Sequence, residues 1–222
     1  MEKSAKVIRL HPVKKARKRI TNIDWVKYFN QLQIKLLRRT VRDQADLDIQ
    51  KGKVTGLREW MAIDVLTSTG IRVSEAANIR CGDIRAGYAE SELFIRDGKG
   101  SISRTIQIPE YLKKHLKQFL KWKRERSEAT GNDDHLFVGQ RGAWSSQAIQ
   151  QIIKKYLKAL DLYEPGKSVH ALRHSYAVQL YRQQRDLRGV QKQLGHVSIQ
   201  STQIYADVTK EDLQAQIKGF WN

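Results

Sequence analysis

The feature that most limits the fold is a change of period in the middle of the chain. On either side of it apolar residues recur at helical spacing, and between Asp83 and Ile108 they do not. There, Leu93-Phe94-Ile95 and Thr105-Ile106-Gln107-Ile108 are short β-prone runs flanking Asp97-Gly98-Lys99-Gly100, a hairpin with a glycine-rich turn. Upstream, Trp25, Phe29, Leu32 and Leu36 fall at i, i+4, i+7 and i+11 and predict a helix from Thr21 that ends before Lys51-Gly52-Lys53. Leu57, Trp60, Met61 and Val65 predict a second helix that stops near Thr69-Gly70. Downstream, Leu112, Leu116, Phe119 and Leu120 mark a helix whose other face holds Lys113, Lys117, Lys121 and Arg124. Leu136-Phe137-Val138 reads as a short strand. Ser145 or Ser146 can cap a helix with the stripe Ile149, Ile152, Ile153, Tyr156, Leu157 and Leu160, while Lys154, Lys155 and Lys158 face elsewhere. Pro165-Gly166 breaks the chain, and Ser168 starts a helix with Leu172, Tyr176 and Leu180. More helix runs to Leu194 and breaks at Gly195. The expected fold is mainly α with a small antiparallel β-sheet, without internal repeats.

Charge narrows the partner. Lys and Arg number 41 against 23 Asp and Glu, a formal net charge of +18. Such a chain calls for a polyanion, nucleic acid before an anionic membrane surface. With 222 residues, 40% hydrophobic, it can bury the core of one good-sized domain and is not a disordered chain. No uncharged apolar stretch approaches the ~20 residues of a membrane span, and the N-terminus lacks the apolar core of a secretory signal. Cys81 is the single cysteine, which excludes an intrachain disulfide framework and a Cys-rich zinc site. These features point to a reducing compartment, the cytoplasm or nucleoid. Residues 1–20 hold eight basic residues, among them Lys14, Lys15, Arg17, Lys18 and Arg19, against one acid. The segment reads as a solvated tail or as a basic arm that orders on DNA phosphates.

Gly166-Lys167-Ser168 ends like a phosphate-binding loop, but Asp161 stands where such a loop needs its first glycine. No HExxH pair is present. His170 and Arg173, three residues apart, share a helix face, and an imidazole beside a fixed guanidinium can handle a proton next to a bound phosphate. Taken singly, the candidates have ordinary readings. Arg72 can bind carbonyls at a helix end, Lys99 can be a solvated turn residue, His196 can mark a helix boundary, Tyr205 can be core, and Glu75 can be a surface carboxylate.

In order along the chain stand TGIRVSE (69–75), the hairpin DGKGSISRTIQIP (97–109), HALRHSYA (170–177), LGHVS (194–198) and Tyr205. Together these resemble the tyrosine recombinase (phage integrase) family over roughly residues 55–210. The resemblance implies that family's catalytic-domain fold and DNA cleavage through a 3′-phosphotyrosyl link, with no metal and no nucleotide cofactor. It implies Arg72 and Arg173 as the phosphate clamp, Lys99 as general acid for the leaving 5′ oxygen, and His170 as the base assisting Tyr205. Lys53 and Lys167 are the alternatives to Lys99. It further implies His196 as a second imidazole on the scissile phosphate, Tyr205 as nucleophile and Glu75 as a supporting carboxylate, with His174 a packing or supporting residue. The chemistry is coherent: a phenol of ordinary pKa ~10 must lose its proton as it attacks, and planar guanidinium forks suit the charge that develops on phosphorus.

The implied organisation is a basic arm (1–20), a helical segment (21–50) and a catalytic domain (51–222) ending in a docking segment (209–222). About fifty residues precede Leu57, too few for the family's separate core-binding domain, so the chain resembles the short, catalytic-domain-only members. Asp43 to Thr55 is longer and more polar than the family's usual link. Leu213, Ile217, Phe220 and Trp221 form an apolar stripe that packs in cis or, as in the family, docks on a neighbouring protomer. The expected partners are double-stranded DNA with paired half-sites and further copies of the chain, a dimer to tetramer on DNA, with no membrane. A type IB topoisomerase-like enzyme and a non-catalytic basic DNA-binding protein are the competing readings.

Overall fold

The computed structural model describes residues 26–96, 103–165, 167 and 169–208. The basic arm, the turn carrying Lys99, Ser168 and the C-terminal stripe lie outside the described residues. Helix α1 (Gln31–Gln50) is opened by Asn30, whose Oδ1 accepts the Gln33 N–H at 2.9 Å while Gln33 Oε1 accepts the Asn30 N–H at 3.0 Å. Its buried stripe is Leu37, Val41 and Ala45. The predicted stripe is therefore out of phase. Phe29 is buried but precedes the helix, its N–H donating to Ser175 Oγ at 2.7 Å, and Leu32 and Leu36 stand 74% and 46% exposed. A residue outside the helix does not obey its period, and a small Ala at position 45 completes the true core face.

The polar stretch 43–55 is the last two turns of α1 followed by a tight turn at Gly52 (φ +68°). Asp48 closes it by accepting the Gly56 N–H at 3.0 Å in the first turn of the next helix. That helix, α2 (Thr55–Thr69), is buried along most of its length, including the polar Glu59, Asp64, Ser68 and Thr69. Asp64 is held by the Arg38 guanidinium and by His115 Nδ1 at 2.8 Å; Glu59 accepts from Lys155 and from the Tyr156 hydroxyl. A buried carboxylate is tolerable only with such partners. Gly70 ends α2 in the left-handed region (φ +64°).

After α3 (Val73–Ala77) and a 3-10 turn at Cys81–Asp83, strands β1 (Ile84–Arg85), β2 (Glu92–Ile95) and β3 (Arg104–Gln107) form an antiparallel sheet in that order. Leu93 faces Ile106 across β2 and β3, and both are buried. The open edge at Gln107 is met by a side chain rather than a strand: Gln193 Oε1 accepts the Gln107 N–H at 3.3 Å, and Gln193 Nε2 donates to the Gln107 carbonyl at 2.8 Å.

Helix α4 (Glu110–Glu125) packs Leu112, Leu116 and Phe119 inward. Lys113, expected on the outer face, is buried, its ammonium 3.7 Å from Glu110. Lys123 is 1% exposed and donates to Glu128 and the Leu136 carbonyl at 3.4 Å each. Leu136 and Phe137 are core, and the short strand lies just after them, β4 (Val138–Gly139) pairing with β5 (Gly142–Ala143). Ser145 Oγ caps α5 (Ser146–Ala159), accepting the Ala148 N–H at 3.1 Å. Helices α6 (Val169–Gln184), α7 (Leu187–Leu194) and α8 (Gln200–Val208) follow. Ala177, Val178, Val190, Leu194 and Tyr205 form a second, smaller core where these three meet.

The ends of α1 and α2 allow a controlled comparison of two glycines. A Cβ at Gly70 would lie 2.4 Å from Tyr176 Cδ1, whereas one at Gly52 meets nothing within 4 Å. Both positions are left-handed, so Gly52→Ala should cost about 1–2 kcal/mol. Gly70→Ala should cost about 2–5 kcal/mol, because the clash adds to the strain. Urea unfolding of the two variants measures the difference; equal losses would show that Tyr176 yields freely.

Candidate active site

Three helix ends and one strand converge on a cluster of cations and imidazoles. Arg173, in the first half of α6, is buried, and its two terminal nitrogens donate to the Gly70 carbonyl at 2.7 Å and the Leu194 carbonyl at 2.9 Å. It thus joins the C-terminal ends of α2 and α7, where main-chain carbonyls lack helical partners. Two of its five N–H groups are used this way, leaving others for a ligand. Arg72 follows Gly70 by two residues and precedes α3. Its N–H and its Nη1 both donate to the buried carboxylate of Glu75, at 2.8 and 2.9 Å. The Arg72 side chain remains 24% exposed.

His196 follows Leu194 by two residues, just past Gly195, the left-handed end of α7 (φ +67°). Its Nδ1 lies 2.9 Å from Thr202 Oγ1. Tyr205, on α8, is 1% exposed. Its hydroxyl lies 3.0 Å from His174 Nδ1, and its ring stacks near His196 with centroids 6.2 Å apart. Arg72, Arg173, Glu75, His196 and Tyr205 are therefore brought together, from positions spread over 134 residues of sequence (205 − 72 = 133 intervals).

Residues 27–212 match the phage integrase family. The chain belongs to that family. It is 32% identical over 166 residues to the tyrosine recombinase XerA of Pyrococcus horikoshii, covering 73% of this chain and 54% of that protein. It is 35% identical over 162 residues to the tyrosine recombinase XerC of Oceanobacillus iheyensis, covering 72% and 52%. The chain thus spans about half the length of these relatives. Among solved structures, the XerA recombinase superposes with a TM-score of 0.69 at 28% identity, over 88% of this chain and 65% of that one. XerH in a post-cleavage complex with a palindromic difH substrate shares the fold, with a TM-score of 0.69 at 23% identity, over 89% and 54%.

The electrostatics of this integrase-family site follow from burial beside positive charge. Burial lowers the pKa of Arg173 to about 10, with Arg72 adding to the shift, so the guanidinium stays charged at neutral pH. Burial lowers His174 to about 4, helped by His170 and Arg173, and His196 to about 4, helped by Arg173, Arg72 and others. Both imidazoles are therefore neutral at pH 7. Burial raises the Tyr205 phenol to about 12, against a smaller lowering by Arg173. Burial pushes Glu75 up, but the Arg104 fork and the Arg72 N–H outweigh it and hold the carboxyl below its usual range. A neutral, sheltered phenol beside neutral imidazoles and charged guanidiniums is set to receive an anion.

Several residues stand apart from that cluster. His170 is exposed on α6, and the imidazole against the Tyr205 hydroxyl is that of His174. Lys155 is engaged by Glu59, while Lys154 and Lys158 lie over the Tyr163 ring at 5.1 and 5.7 Å. Lys53 is exposed; Lys167 pairs with Glu164 at 3.0 Å and lies over Phe29, away from the cluster. Arg104 was not singled out by sequence, yet it grips both Glu75 oxygens at 2.8 and 3.0 Å. Its signal was its place at the start of the second hairpin strand, facing the same side as the buried Ile106. Among the described residues no group of three or more His, Cys, Asp or Glu side chains is placed to hold a metal ion, and no helix is long and apolar enough to cross a membrane.

The histidine shifts have a signed consequence. A folded-state pKa near 4 against an ordinary 6.5 gives stability that is fully present above pH 6.5 and lost as pH falls towards 4. Denaturant unfolding across that window should show proton uptake on unfolding. His174→Gln should flatten the slope between pH 6.5 and 4, and an unchanged slope would mean His174 is already protonated in the folded protein.

Proposed function

We propose that the chain is a site-specific DNA recombinase that cleaves and rejoins strands through a 3′-phosphotyrosyl intermediate. The observation that carries this reading is the meeting of Arg72, Arg173 and His196 around Tyr205, in a chain of formal charge +18. The scissile phosphate binds between the two guanidiniums, which stabilise the charge that grows on its non-bridging oxygens. His196 donates a further hydrogen bond. The phenol attacks phosphorus, the P–O5′ bond breaks, and the 5′ oxygen takes a proton from Lys99 on the hairpin. Reversal with a different 5′ hydroxyl rejoins the strand.

Tyr205 is sealed against His174, so α8 must shift for the phenol to reach phosphorus. We assign His174 to holding the phenol in the closed arrangement and His170, exposed on the same helix, to taking its proton in the open one. Phosphate contacts outside the site fall to Lys154, Lys158 and the basic residues Lys14, Lys15, Arg17, Lys18 and Arg19. Lys155 is a weaker candidate because Glu59 already holds it.

A nicked suicide substrate carrying the target site, found by sequencing DNA trapped on the protein in its host, tests the chemistry. Wild type should form a denaturation-resistant adduct in chelator, Tyr205→Phe none, and His170→Ala and Arg173→Ala should form it slowly. On a 5′-bridging phosphorothioate, whose leaving group needs little protonation, Lys99→Ala should recover most of its rate and Arg173→Ala should not. An adduct with Tyr205→Phe would move the nucleophile elsewhere. Plasmid relaxation without any specific site would favour the topoisomerase reading.

Residues 209–222 act, in this reading, as the link between protomers. A cleft of about 880 Å³ beside α6, where Phe29, Ile34, Tyr111, Leu172, Tyr176 and Leu180 stand among polar residues such as Arg38 and Gln179, has room for the Leu213, Ile217, Phe220 and Trp221 stripe of a neighbouring copy and some apolar contacts for it. Truncation after Asp212 should leave a folded protein that binds one half-site but loses cooperative binding to paired half-sites. Retained cooperativity with a lowered melting temperature would show packing in cis.

A further inference from the structure

The Glu75 carboxylate presents a problem for the proposed phosphate clamp. It fixes Arg72 through two hydrogen bonds, one from the main chain and one from the side chain. Taken alone it also cancels the charge of Arg72, since a carboxylate 2.9 Å from a guanidinium forms a neutral pair with it. Arg173 would then be the one uncompensated cation of the clamp. Arg104 changes that sum. Its fork takes both oxygens of Glu75 at 2.8 and 3.0 Å, with its own side chain only 13% exposed. Three arginines against one carboxylate leave a net +2 (3 − 1), the charge that Arg72 and Arg173 would carry with no carboxylate present.

The placement of Arg104 follows the carboxylate rather than its own hydrogen-bonding needs. Its Nε is buried with no partner among the described residues. A Cβ at position 195 would lie 2.6 Å from that nitrogen, so the arginine lies flat against the glycine that precedes His196. Arg104 also opens β3, the strand that follows the Lys99 turn. One side chain therefore touches the Arg72 support, the His196 corner and the root of the hairpin.

We propose that Arg104 is a positioning residue that offsets the charge of Glu75, so that Glu75 can fix Arg72 without weakening the cationic field offered to the phosphate. The proposal rests on the recombinase reading above, and it makes the Glu75–Arg104 pair a unit whose halves are useful only together.

Single-turnover adduct formation at saturating protein, together with half-site affinity, separates this role from a merely structural one. Wild type forming the adduct establishes that the covalent cleavage on which the recombinase reading depends operates in the assay; its failure would count against that reading and not against Arg104 specifically. Arg104→Gln should slow cleavage on the order of 10–100-fold, the scale seen when a metal ligand loses the partner that orients it, with a smaller change in half-site affinity. The double variant Glu75→Gln/Arg104→Gln should cleave several-fold faster than Arg104→Gln, because it removes the uncompensated carboxylate. Arg104→Lys keeps the charge and loses the fork, and should fall between wild type and Arg104→Gln. A double variant no faster than Arg104→Gln, or an Arg104→Gln as fast as wild type, overturns the proposal. If thermal melting shows Arg104→Gln unfolded, Arg104→Lys and the double variant carry the test. Cleavage by Arg104→Lys within about 10-fold of wild type supports charge compensation, and a larger loss in a folded Arg104→Lys overturns it.

Discussion

The buried guanidinium of Arg173 is the contact on which the rest of the site depends. It bridges the Gly70 and Leu194 carbonyls, the ends of two helices that approach from different parts of the chain. Each helix stops there through a left-handed glycine, Gly70 in one case and Gly195 in the other. Arg72 lies two residues beyond the first carbonyl and His196 two beyond the second. Fixing the carbonyls therefore fixes the points from which both side chains depart. A buried charge is costly unless its hydrogen bonds are met, so any loosening of either helix end would expose that cost. The arginine that binds the phosphate in the proposed mechanism is also the tie that aligns the other groups around it.

Much of this was readable in the sequence, for a physical reason that differs with the element. The end of α2 was visible because Gly70 follows the helical stripe Leu57, Trp60, Met61 and Val65, and the end of α7 because Gly195 breaks the chain directly after Leu194. The hairpin was visible because the β-prone runs Leu93-Phe94-Ile95 and Thr105-Ile106-Gln107-Ile108 flank a glycine-rich turn. The ordered set of Arg72, Arg173, His196 and Tyr205 was recognisable as a set, and the structure brings these residues to one place. The roles given to them remain those of the proposed mechanism.

What the sequence concealed is equally specific. Apolar side chains do not announce which face is covered, so Leu32 and Leu36 passed for core while the small Ala45 did not. A long cationic side chain on the face opposite the apolar stripe reads as solvated, yet Lys113 runs inward beside a carboxylate, and so does Lys123, which also meets a carbonyl. His174 follows Arg173 directly and shares no obvious face with a nucleophile thirty-one positions on (205 − 174); only the packing of α8 on α6 brings its ring to the Tyr205 hydroxyl. Arg104 was hidden because its partner, Glu75, lies on a different element.

The Gln193 amide at the end of the sheet bears on how copies of this protein can meet. A strand edge normally offers an N–H and a carbonyl to any extended segment that drifts past, and this is how sheets merge into aggregates. At Gln107 both groups are already taken by one side chain that copies the bonding of a neighbouring strand. The amide is anchored in turn by the Tyr176 hydroxyl at 3.2 Å. In the proposed assembly on DNA, several copies concentrate their surfaces locally. With Gln107 occupied from within, crowding has less open backbone at this end of the edge and favours association through side chains of chosen shape.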